Sequence, residues 1–185
     1  MTLLRLALSL AVTTILSIGQ DLDFQAAERR IVRLPPTAFP MLPVAVLREL
    51  QHRRCTVPQE SFSKPPNNVI SGQFVRRGQT DWAVLCSING SSSILVFLNG
   101  SASNPAELAR REDKIYLQSL VGDKIGFSRG ISTVGKDFIV QRYQAAAGPK
   151  PPPIDHQGID DAFLDKASVV QYFFKGEWLE LPGDD

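Results

Sequence analysis

Two cysteines and two histidines in 185 residues leave little reactive chemistry. So few thiols exclude a disulfide-dense scaffold and a zinc site of four cysteines. An excess of one charge sign is also missing: Lys and Arg total 20 against 19 Asp and Glu. That balance argues against a non-specific nucleic-acid binder and a polybasic membrane-surface protein. Past the N-terminus no apolar run is long enough to span a bilayer as a helix. Aromatics are scarce at 8%, yet hydrophobic residues reach 43%. A chain of that composition can build a core, which excludes wholesale disorder.

What is present begins with a leader. Arg5 precedes an apolar stretch from Leu6 to Ile18, and Ser17 and Gly19 are the small residues of a cleavage site before Gln20. The expectation is a signal peptide over 1–19, a single β-rich domain over 20–185, and a secreted or periplasmic protein without a membrane span in its mature form. Arg5 is the leader's only charged residue, so the remainder is formally neutral. In an oxidising compartment the cysteine pair is most simply a disulfide, Cys55–Cys86. A loop of that length stabilises by about 3–4 kcal/mol in the chain-entropy model.

Periodicity supplies the elements. Phe24, Ala27, Ile31 and Leu34 share one face of a helix that Pro35-Pro36 stops. Pro43, Val46, Leu47 and Leu50 mark a second helix over 43–53, with Pro43 in its first turn. Strand patterns follow at 69–75, 81–88, 94–98, 115–120, 124–128, 138–143, 168–174 and 177–181. One helical turn is placed within 162–167, and Gly148 to Pro153 reads as a proline-rich arm. Asn89-Gly90 and Lys175-Gly176 suit hairpin turns. The 81–98 hairpin is apolar on both faces, so it should be central, with helix 43–53 pinned over one face by the disulfide. The predicted class is α+β: two N-terminal helices packed on a mostly antiparallel sheet of about seven or eight strands.

Several chemical constellations can be drawn. Gly126-Phe127-Ser128-Arg129-Gly130 matches G-x-S-x-G, and His156 follows Asp137 and Asp155 in the order of a serine hydrolase triad. The β-branched residues after it argue against the helix such an elbow needs. Gly130 to Asp137 nearly matches a phosphate-binding loop, but Asp137 replaces the Ser or Thr that holds magnesium, and Phe138-Ile139-Val140 reads as strand. His52, Cys55, Cys86 and His156 make a zinc set that competes with the disulfide. Asn89-Gly90-Ser91 and Asn99-Gly100-Ser101 are N-glycosylation sequons that serve equally as turns. Asp155, Gln157 and Asp161 offer oxygens for a weak calcium site around an acidic turn. Arg76, Arg77, Gln79 and Asp81 form a candidate interaction loop.

The run Asn68 to Phe74, Asp81 to Leu85 and Ser93 to Gly100 resembles one unit of the FG-GAP/VCBS-type repeat. Gly72, Phe74, Gly78, Asp81, Ala83 and Val84 carry the match. The repeat's acidic calcium positions are occupied by Gln73, Val75 and Arg77, so the resemblance implies a strand–loop–hairpin geometry and no bound metal. The whole chain is similar to small exported bacterial proteins of unassigned function, on Cys55 to Gln59, Gly78 to Cys86, and Asp155 through Trp178. The reading that follows is a non-catalytic binding module for a protein or envelope component, with no cofactor. The alternatives are a small serine hydrolase using Ser128 and His156, or an inhibitor or immunity-like protein.

Overall fold

The computed structural model describes residues 23–121, 124–146 and 150–184. The leader and part of the proline-rich arm lie outside these residues. Among the described residues, twelve strands form four antiparallel sheets, joined by three helices. The expected arrangement of two N-terminal helices on one sheet is therefore wrong. The strands divide between two four-stranded meanders and two short ribbons, and one helix lies in the C-terminal half.

Helix α1 (23–29) turns Ala27 toward the core and ends before Ile31, which is buried just beyond it, and before Leu34. The chain straightens there, and β1 (Arg33–Leu34) pairs with β2 (Val57–Pro58). Helix α2 (Val44–His52) starts at Pro43 and buries Val46 and Leu50, as the spacing predicts. The first meander is β3 (Val69–Gly72), β4 (Asp81–Ile88), β5 (Ser91–Phe97) and β6 (Ala106–Glu112), paired in sequence order. Its β4–β5 turn is Asn89-Gly90, with φ of 52° and 78°, the left-handed pair a tight two-residue hairpin requires. Ala83, Leu85, Ile94 and Val96 face the other meander, while Val84, Cys86, Leu95 and Phe97 face α2. The hairpin is covered on both faces, and Cys55–Cys86 joins the end of α2 to β4 with Cα atoms 5.4 Å apart.

A ribbon of β7 (Leu117–Leu120) and β8 (Lys124–Phe127) leads to the second meander. This comprises β9 (Arg129–Val134), β10 (Gly158–Phe163), β11 (Ala167–Phe174) and β12 (Glu177–Pro182). Helix α3 (Lys136–Ala145) is inserted between β9 and β10 and packs Ile139 against Val134, Val170, Tyr172 and Leu181. The strand expected at 138–143 is thus a helix. Gly135 opens it, and only Ile139 is fully buried, with Phe138 and Tyr143 packed half-buried against the same cluster. In place of the helical turn expected within 162–167, residues 164–166 form the hairpin turn between β10 and β11, and Gly158 to Asp161, expected as an acidic turn, belongs to β10.

The two meanders pack face to face over Phe74, Ile131, Leu117, Phe127 and Ile159. Two buried polar residues fix their register. Asn68 donates to the carbonyls of Pro58 and Arg129, at 2.7 and 3.0 Å, and accepts from the N–H of Ile131 at 3.0 Å. Arg129 is fully buried and uses all five guanidinium donors. It grips Asp161 twice at 2.8 Å, then reaches across to the carbonyl and hydroxyl of Ser92 and the carbonyl of Ala109. Its guanidinium also sits 4.7 Å from the Tyr116 ring centre. A charge removed from water needs this degree of pairing to be tolerated.

Candidate cleft at the loop end of the two sheets

The loop after β3 is built around Asp81. Its carboxylate is fully buried and accepts four hydrogen bonds. One oxygen takes the N–H groups of Phe74 and Val75, at 3.0 and 3.2 Å. The other takes the Asn99 N–H and the Gln79 amide, at 2.9 and 2.6 Å. Gln73 accepts from the Gly78 N–H at 2.9 Å, and Arg76 donates to Gln79 at 2.8 Å. The result is an ordered loop that presents Arg76 and Arg77 to solvent.

A second segment docks on this loop. Gln157 donates its backbone N–H to the Gln73 carbonyl at 3.0 Å, and its side-chain oxygen accepts the Gln73 N–H at 2.8 Å. Just upstream, His156 stacks on Tyr172 with ring centres 4.3 Å apart. Both of its ring nitrogens lie 2.9 Å from backbone carbonyls, those of Gln157 and Phe173. The Tyr172 hydroxyl accepts the Asp155 N–H at 3.1 Å and lies 3.2 Å from the Asp155 carboxylate. Burial pushes the Tyr172 phenol up, with the Asp155 carboxylate adding to the shift and backbone hydrogen bonds opposing it.

Where these segments meet the start of α3, a cleft of about 250 Å³ opens between Gln73, Arg77, Gly135, Lys136, Asp155 and His156. Among the described residues no carboxylate lies within 4 Å of Arg77 or Lys136. Gly135 supplies no side-chain cap, so the first amides of α3 are left to other acceptors. Two cations and these amides favour a negatively charged group. Asp155, on the rim, works against it.

The candidate residues separate under this geometry. Arg76, Arg77 and Gln79 do belong to a loop that borders the cleft. Asp81 is the buried organiser of that loop rather than a contact residue. Asp155, Gln157 and Asp161 do not converge, since Tyr172, Gln73 and Arg129 take them in three different directions. Ser128 is fully buried, with its hydroxyl 3.4 Å from the Gly126 carbonyl. Neither His156 nitrogen faces it. Cys55 and Cys86 are bonded to each other, and His52 lies near Glu49 at 3.9 Å, so the four zinc candidates do not meet. A helix does follow Gly135-Lys136, contrary to expectation. Gly130 to Val134, however, is strand, so the wide loop that would wrap a phosphate is missing. Asn89 and Asn99 are exposed turn residues.

Sequence reasoning missed Lys136, Gln73 and the lining position of His156. Lys136 had a signal: glycine followed by Lys-Asp fits a helix start as well as a turn. Compared with known proteins, the chain matches no family model, no curated protein and no solved structure.

Proposed function

We propose that this protein is a non-catalytic binding module of the secreted or periplasmic space. It engages a protein or envelope component through the cleft and its Arg76–Arg77 rim. The observation that carries the reading is the convergence of two separately predicted segments, the arginine loop and the stretch at 155–157, on one cleft beside Lys136. The disulfide supports an oxidising compartment. No helix among the described residues is long and apolar enough to cross a membrane. The order strand, loop, hairpin over 69–97 supports the FG-GAP/VCBS-like reading of that unit. The group recognised carries negative charge, on the strength of Arg77, Lys136 and the α3 amides.

The test is capture from the native extracytoplasmic fraction with the parent and with the Arg77→Glu/Lys136→Glu variant. The reading expects one recurrent species retained by the parent and lost by the variant. Recovery of nothing, or equal recovery by both, would overturn it.

A further inference from the structure

His156 lines the cleft with a side chain that is only 5% exposed. Its two ring nitrogens meet the same kind of partner. Nδ1 lies 2.9 Å from the Gln157 carbonyl, and Nε2 lies 2.9 Å from the Phe173 carbonyl. A carbonyl oxygen only accepts. A neutral imidazole has one N–H and one bare nitrogen, so it can serve just one of these two oxygens. The imidazolium has two N–H groups and serves both.

The neighbours on the same side of the ring favour that charge. The Asp155 carboxylate is 3.7 Å from Nε2, and among the described residues no other carboxylate lies within 4 Å of a His156 nitrogen. From β11, Tyr172 stacks on the ring at 4.3 Å and 10°, and an aromatic face attracts a cation. Burial pushes the Tyr172 phenol up, so it adds no charge of its own. Across the cleft, Arg77 from the arginine loop and Lys136 from α3 act against a third positive charge. An anion held between them removes that opposition. No metal competes for the ring: among the described residues no group of three or more His, Cys, Asp or Glu side chains is placed to hold one.

Resting on the anion reading above, we propose that the cleft takes up its anion together with a proton on His156. The charged ring ties the 155–157 segment to β11 and holds Gln157 where it pairs with Gln73. It also adds positive charge beside Arg77 and Lys136. Both of its N–H groups are used by carbonyls, so His156 gives the anion no hydrogen bond and acts as a positioning residue. Losing the proton removes the charge, breaks one tie and sets a lone pair against a carbonyl oxygen. Proton and anion therefore strengthen each other's binding by the same factor.

The test is a pH series on the 15N-labelled full chain, with sulfate as the probe, over the range in which histidine titrates, about pH 5–8. Sulfate keeps its own charge throughout this range. Long-range 1H–15N spectra separate a ring with two N–H groups from a neutral one. The chain has one other histidine, His52, whose side chain is 84% exposed and serves as the internal reference. The proposal expects two protonated nitrogens on His156 at the acidic end. As the ring loses a proton, shifts along 154–157 and 73–78 should move with it, and sulfate should weaken by about tenfold. Added sulfate should restore the second proton. In His156→Gln, sulfate affinity should be weak and independent of pH; the ring spectra of the parent need no variant to fold. A His156 ring whose charge state is constant over the range, or that titrates without changing sulfate affinity, would overturn the proposal. Failure to bind sulfate at any pH, with the ring charged, would instead overturn the anion reading, and this proposal with it.

Discussion

At the scale of single residues, Arg129 is the clearest case of a role that sequence does not announce. In the sequence it is the variable position of a G-x-S-x-G match, while in the fold its side chain bridges the two meanders, from Asp161 in β10 to Ser92 in β5 and Ala109 in β6. Burial acts to lower its pKa, but the hydrogen bonds and charge of Asp161 outweigh this and leave it raised. Removing one partner of such a pair leaves a buried charge uncompensated. Asp161→Asn should therefore lower unfolding stability by about 3–5 kcal/mol in urea titrations. A loss below about 1 kcal/mol would place the pair among ordinary surface contacts. Asp160, the neighbouring residue, faces the opposite side of β10, and one of its carboxylate oxygens is buried without a partner. Burial first, opposed by the Ser168 bond and reinforced by Asp161 and Asp184, holds its carboxyl above 3.8. The folded protein thus keeps this proton to higher pH than the unfolded chain. Ionising it costs stability as pH rises from 3.8 through the raised value, and the cost is complete above that. Asp160→Asn should exceed the parent in stability at neutral pH, with the difference shrinking as pH falls toward 3.8. Thermal unfolding across that range checks the sign.

At the scale of elements, legibility followed local pattern. Helix α2 and the β4–β5 and β11–β12 hairpins are readable because their apolar spacing and turn residues are local, and the structure bears them out. Helix α3 was misread because Ile139-Val140 favours strand, while the helix fully buries only Ile139 and so shows no strong helical period. Strand β6 was not expected at all. Ala106-Glu107-Leu108-Ala109-Arg110-Arg111-Glu112 is a helix-forming composition, overridden by pairing with β5. Its pairing slips opposite Ser93, where Ala109 and Arg110 face one residue, and Ala109 adopts φ of 50°. Glycine is the usual occupant of such a bulge position. The bulge aims the Ala109 carbonyl at Arg129, at 2.6 Å. Ala109→Gly relieves the left-handed backbone and should stabilise by up to about 1 kcal/mol, measured by chemical denaturation. Destabilisation would mean that the methyl group packs usefully. The disulfide is the other device at this scale. It spans 31 positions and pins the end of α2 to β4 beside Leu50 and Val57. Reducing it, or replacing both cysteines with Ala, should cost about 3–4 kcal/mol.

At the scale of the molecule, β-rich character, the disulfide and the two-sided burial of β4–β5 were legible. The division into two meanders was not. Each strand's alternation specifies which side chains face inward, not which sheet the strand joins. That choice rests on Asn68 and Arg129, polar residues whose partners lie far away in sequence. The cleft was legible in pieces for the same reason: the arginine loop and the 155–157 stretch are local features, and the Gln73–Gln157 pairing joins them. We propose this junction as the recognition surface for a negatively charged group. Titrating sulfate into the 15N-labelled protein tests that claim directly. Saturable shifts confined to 73–78, 135–137 and 154–157, and lost in Arg77→Glu/Lys136→Glu, are the predicted result. Shifts absent from those segments, or spread evenly over the surface and unchanged in the variant, would contradict it.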